Sequence, residues 1–194
     1  MPCHLSHTAG RLGIYGGGLF DLLNPAVDAI DFGVIAEALC KVNRFTGHTH
    51  TPYSVAQHSL VVADQLPPEL RIYGLLHDAH EAFTGDITTP MKCALRALGM
   101  GDALALLQSN LDAAIFRAAV IQPPAPGIVA LIKRADLIAA KSEARDLIPN
   151  ADPEDFGPGP MLPFTIKPMA WDRAHERYSH ALESVGLNPR RRAA

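Results

Sequence analysis

Apolar residues along this chain recur mostly at intervals of three and four, the spacing that gathers them on one side of a helix. Val34, Ile35, Ala38, Leu39 and Val42 form such a stripe and predict a helix over 31–42, with Asp31 as its cap. A loop carrying Arg44, Gly47, His48 and His50 runs to Pro52. A second helix is expected over 54–65, where Val55, Leu60, Val62 and Leu66 surround His58. Pro67 and Pro68 end it and introduce a third over 69–83, with Ile72, Leu75, Leu76 and Ala79 on its apolar side. Further stripes predict helices over 91–98, over 102–120, over about twenty residues from 128, and over 170–185. Alternation of period two is rare, and the patch from Met161 to Phe164 contains Pro163, which argues against an interior strand. The expected fold class is all-α: a compact bundle of about six or seven helices with at most a minor hairpin.

One domain accommodates these elements. An irregular arm over 1–27 carries Gly10, Gly13 and the run Gly16, Gly17, Gly18, which lacks the lysine and hydroxyl residue of a phosphate-binding loop. A core over 28–148 is followed by a proline-rich strap over 149–169. A helix and a basic tail with Arg190, Arg191 and Arg192 complete the chain over 170–194. Five prolines within 149–163 make a long connection, unusual unless it covers a pocket or an interface.

Composition narrows the class without naming the chemistry. A chain of 194 residues suits one substantial core, and 48% hydrophobic with 19% charged residues reads as a soluble globular protein. Seventeen basic against twenty acidic residues give a net charge of -3, which gives no reason to expect a long nucleic-acid partner. Cys3, Cys40 and Cys93 are too few and too scattered for a disulfide framework and read as reduced thiols. No apolar run approaches the roughly 18 residues of a membrane span, and the amino terminus lacks the pattern of a secretion signal. The expectation is a cytoplasmic protein with no membrane partner.

Candidate chemistry collects around one dipeptide. His77 and Asp78 sit on an otherwise apolar helix, with Glu81 three or four positions on, so all three can face one site. A buried acid needs a charge partner or strong hydrogen bonds. Asp136, between Ala135 and Leu137 on another apolar helix, poses the same problem. Taken singly, His58 could be a hydrogen-bonded core histidine and Asp136 a helix cap or ion-pair partner. A shared cation would answer both acids, and His58, His77, Asp78 and Asp136 form a mixed nitrogen and oxygen set suited to Mn(II), Co(II), Fe(II), Ni(II) or Zn(II).

These motifs resemble the HD-domain phosphohydrolases, especially compact bacterial 5'-deoxynucleotidases and short phage-type relatives. The resemblance spans 43–148. It rests on Asn43-Arg44-Phe45, on the run from Tyr53 to Ser59, on Leu76-His77-Asp78-Ala79-His80-Glu81, on Thr84-Gly85-Asp86 and on Lys133-Arg134-Ala135-Asp136. It implies that His58, His77, Asp78 and Asp136 ligate one divalent ion, with room for a second, substrate-associated Mg(II). Glu81, Arg44 and Asp86 take catalytic places by the same resemblance, with Arg44 and Asp86 at the nucleotide. Lys133 is a further candidate phosphate contact, and Phe45 and Tyr53 are candidate apolar contacts to sugar or base.

The activity so implied is hydrolysis of the 5'-phosphate of deoxynucleoside monophosphates by in-line attack of water on phosphorus. The alternatives are release of triphosphate from deoxynucleoside triphosphates and a noncatalytic metal-stabilised nucleotide-binding protein. A homo-oligomer is also expected from the resemblance. Gln57, where many deoxynucleotidases carry glutamate, and His80, where a small residue is common, depart from the pattern and bear on the substrate.

Overall fold

Antiparallel strands β1 (Arg11–Gly13) and β2 (Leu19–Asp21) open the described part of the chain, residues 10–188 of a computed structural model. The turn between them uses Gly16, Gly17 and Gly18 at φ 82, 89 and 96°, a region costly for other residues. Phe20 of β2 is buried and stacks on Phe83 with ring centroids 4.1 Å apart, so the hairpin packs on the core. Cys3 and the Arg190 to Arg192 tail lie outside the described residues, where Cys40 and Cys93 are free thiols.

The remaining structure is helical: α1 (Phe32–Leu39), α2 (Val55–Ala63), α3 (Arg71–Leu76), α4 (Glu81–Thr84), α5 (Thr89–Ala97), α6 (Gly101–Ala118), α7 (Pro126–Leu147) and α8 (Trp171–Ser184). Counting α3 and α4 as one interrupted helix leaves seven among the described residues, as the apolar stripes predict. The cap at Asp31 falls where the sequence places it. Asp31 accepts from the amides of Gly33 and Val34 to start α1, and the Ser54 hydroxyl accepts from the Gln57 amide to start α2. Helix α2 is central, buried along nearly its whole length, and packs on α3, α7 and α8.

The helix expected over 69–83 is broken. Pro68–Leu70 forms a 3-10 turn, and across 77–80 the amides of Ala79, Glu81 and Phe83 each bond to the carbonyl three residues earlier. Such tightening sets residues three apart one above the other, which aligns Asp78 with Glu81. Carbonyls released near the break find side chains: Gly74 O accepts from His77 Nδ1 at 2.8 Å, and Leu75 O from the buried Tyr178 hydroxyl at 2.6 Å.

The strap is ordered along α7. The Lys141 ammonium donates to Gly159 O and pairs with Glu154, while the Ser142 hydroxyl accepts from the Leu162 amide. Farther along, Arg145 donates to the carbonyls of Leu162 and Phe164, and Asp146 accepts from the Ile166 amide. No helix among the described residues is long and apolar enough to cross a membrane.

Candidate metal centre

Three elements bring the predicted ligands together. Helix α2 supplies His58, the tightened turn after α3 supplies His77 and Asp78, and α7 supplies Asp136. His58 Nε2 lies 3.3 Å from His77 Nε2, 3.1 Å from Asp136 Oδ1 and 3.6 Å from Asp78 Oδ2, and His77 Nε2 lies 3.1 Å from Asp78 Oδ2. Asp136 is the open side, its side chain 43% exposed.

The hydrogen bonds behind the two rings decide what faces the centre. A carbonyl can only accept, so His77 Nδ1 carries a proton toward Gly74 O, which turns its Nε2 to the centre. His58 Nδ1 donates to Glu143 Oε1 at 2.7 Å, which turns the other ring nitrogen to the same point. Donor atoms of His58, His77 and Asp136 lie within 4.8 Å of one another, with Asp78 Oδ2 beside both imidazoles, so the group could hold a cation. The donor set suits a divalent ion of the borderline class. Buried, partnerless atoms surround it: Glu81 Oε2 and Arg44 Nε have no hydrogen-bond partner among the described residues.

The crowded charges shift one another's protonation. Burial and the Arg44 charge oppose protonation of His58, yet Glu143 and Asp136 outweigh them and lift it to about 10. Asp78 is held well below the usual carboxylate range: burial opposes this, and the imidazoles of His77 and His58 with Arg44 overcome it. Glu81 moves the other way, to about 9, through burial and then the charges of Asp78 and Asp86.

These shifts give a sign to the pH dependence of the metal-free chain. Both Glu81 and His58 bind a proton more tightly folded than unfolded, from ordinary values of 4.5 and 6.5. The stability each adds is complete below its ordinary value and is lost as pH rises toward the folded one. Between about 6.5 and 9 both act together, each worth about 1.4 kcal/mol per pH unit. In chelator the melting midpoint should therefore fall steadily from pH 6.5 to 9, and a saturating divalent ion should flatten the slope. A midpoint indifferent to pH in chelator would remove this account of the two groups.

A second group, Asp78, His80 and Glu81, also brings three donor atoms within 4.8 Å of one another. His80 is already spent, its Nδ1 on Asp112 at 2.9 Å and its Nε2 accepting from the Gln108 amide at 3.2 Å. That leaves two carboxylates beside the first centre.

The other predicted residues divide. Arg44 is 12% exposed and points inward, its guanidinium 3.4 Å from Glu143 and 3.8 Å from Asp78. Asp86 accepts from the Phe45 amide at 3.1 Å, holding a turn (Arg44–Gly47) in which Phe45 and Thr46 adopt φ 55 and 53°. Such strain, about 1–3 kcal/mol per residue, persists only where surroundings enforce it. Phe45 is half-buried, edge-on to Phe156 of the strap at 5.9 Å, which sets the strap beside the Arg44 turn. Lys133 is exposed one helical turn before Asp136. Tyr53 is fully buried, its hydroxyl donating to Glu143 at 2.9 Å, and thus faces the scaffold.

Gln57 is likewise a scaffold residue. Its amide nitrogen donates to Lys167 O and its oxygen accepts from the Met169 amide, clamping the end of the strap to α2. Glutamate could accept there but, when ionised, could not donate. The departures at Gln57 and His80 therefore act on packing around the centre.

Glu143 escaped the sequence reading. It is fully buried and accepts from His58, Tyr53 and Arg44. One signal was available: Glu143 lies seven residues after Asp136, two turns along the same face of α7.

No known family profile matches the chain. The uncharacterized protein YfdR of Escherichia coli K12 is 35% identical over 128 residues, 66% of each chain. The uncharacterized protein RCAP_rcc00048 of Rhodobacter capsulatus is 36% identical over 163 residues, covering 75% of this chain and 79% of that one. At that identity and coverage, this chain belongs to the same family as the Rhodobacter capsulatus protein.

Proposed function

We propose that this chain is an HD-domain phosphohydrolase that removes the 5'-phosphate of deoxynucleoside monophosphates. The observation that carries the reading is the convergence of His58, His77, Asp78 and Asp136 beside a buried arginine and a buried, partnerless acid. When bound, a divalent ion supplies Lewis-acid polarisation of the phosphoryl group and a more acidic water.

The chain's own groups do the rest. Arg44 directs its guanidinium inward at Asp78 and Glu143, which sets a positive group beside the centre to attract a nonbridging oxygen. Asp86 keeps the strained turn that aims Arg44. Glu81, buried beside Asp78 and Asp86, which push its carboxyl up in the metal-free chain, can orient the attacking water, accept its proton or relay one to the leaving 5'-oxygen. Phe45, in the Arg44 turn, and Lys133, one helical turn before Asp136, are the candidate contacts to sugar and phosphate.

Metal reconstitution followed by phosphate-release and product-mass assays on nucleoside mono- and triphosphates tests this. Orthophosphate from a deoxynucleoside monophosphate is expected. Intact triphosphate from a triphosphate would replace the reading with a triphosphohydrolase, and tight binding without turnover across metals would leave a binding protein. Glu81→Ala should lower kcat about 10²- to 10⁴-fold with the metal retained. Undiminished turnover across pH would remove Glu81 from proton transfer.

A further inference from the structure

We propose that Glu143 is the positioning residue of the metal centre, the buried carboxylate that fixes His58 with Nε2 turned to the ion. The inference rests on the metal-dependent reading above and adds a residue to it. Glu143 projects from α7 between Ser142 and Ala144, all three buried. Its Oε1 accepts from His58 Nδ1 at 2.7 Å and from the Tyr53 hydroxyl at 2.9 Å, and its Oε2 lies 3.4 Å from the Arg44 guanidinium.

Two of those three donors belong to the centre itself. A buried carboxylate costs several kcal/mol in desolvation, and an apolar side chain would join α7 to α2 without that cost. What an apolar side chain cannot do is fix the ring. A neutral imidazole has two tautomers, and a carboxylate behind Nδ1 selects the one whose Nε2 is a lone pair while making that lone pair a better donor. His77 obtains the same orientation from a backbone carbonyl, Gly74 O. The two ligand histidines are thus oriented by different devices: one by the main chain of its own helix, the other by a charged side chain two turns beyond Asp136. Because Glu143 and Asp136 share a helix, any shift of α7 moves a ligand and the support of another ligand together.

The test uses the full chain and Co(II) alone. Glu143→Gln keeps an acceptor near His58 but removes the charge, and it should weaken cobalt binding about 10- to 100-fold and shift the visible bands of the bound ion. A variant that melts lower in chelator yet binds cobalt with wild-type affinity and spectrum would make Glu143 a packing residue and overturn the proposal. Should Glu143→Gln not fold, nitrogen NMR of the zinc-loaded wild-type chain decides instead. Protonated Nδ1 and ligated Nε2 at His58 support the assignment, and the reverse overturns it. A wild-type chain that takes neither cobalt nor zinc would remove the metal-dependent reading and this inference with it. Failure confined to Glu143 leaves that reading standing.

Discussion

Asp78→Asn should abolish metal-supported turnover and strip most of the ion from the protein at concentrations that saturate the wild type. Asp78 Oδ2 is the oxygen closest to His77 Nε2, at 3.1 Å, and it also faces His58 and Arg44. The asparagine amide keeps the shape but removes a charge and can present NH₂ where lone pairs converge. Losing one partner of a buried charged cluster costs about 3–5 kcal/mol, equivalent to more than a hundredfold in ion affinity. The expected record is metal content by elemental analysis and phosphate release in the same sample. Full occupancy with full turnover would end the claim that Asp78 is a ligand.

A second large effect should come from a residue with no chemistry. Gly74 sits on α3 one turn before His77, where an added Cβ would lie 2.7 Å from Ala63 Cα and 2.8 Å from Leu66 Cδ1. Helix propensity alone says that Gly74→Ala gains about 1 kcal/mol. Close packing says the opposite, since a backbone atom cannot step aside as a flexible side chain does, and overpacking costs about 1–3 kcal/mol or more. The second effect should win, lowering the melting midpoint by several degrees, at about 2–4 °C per kcal/mol for a chain of this size. Cobalt affinity should fall with it, because prising α3 from α2 parts His77 from His58. An unchanged or raised midpoint would show that α2 and α3 approach less closely than described here.

Much of this architecture was readable from residue order, for identifiable reasons. Asp31 and Ser54 begin helices because their side chains satisfy free amides, a local interaction that spacing reveals. The histidines and aspartates stood out because charged groups interrupt apolar stripes. The break at 77–80 was hidden, since Ile72, Leu75, Leu76 and Ala79 keep a helical period straight through it. One of the carbonyls near the break is taken by a side chain of α8, a tertiary contact that spacing does not reveal. Glu143 was hidden for another reason. Its neighbours Lys141, Ser142, Arg145 and Asp146 are polar, so no apolar stripe marks the position, and only the tertiary contacts with Tyr53, His58 and Arg44 show that it is interior.

The stacking of Phe20 on Phe83 bears on how the protein can be dissected. Phe83 lies two residues beyond Glu81, so the ring from β2 backs the very turn on which the acid stands. A fragment begun at residue 28, where the helical portion starts, would keep every candidate ligand and still leave that turn without its rear wall. The carboxyl-terminal side offers no easier cut, because Tyr178, Leu182 and Leu187 share the buried cluster that holds Phe83.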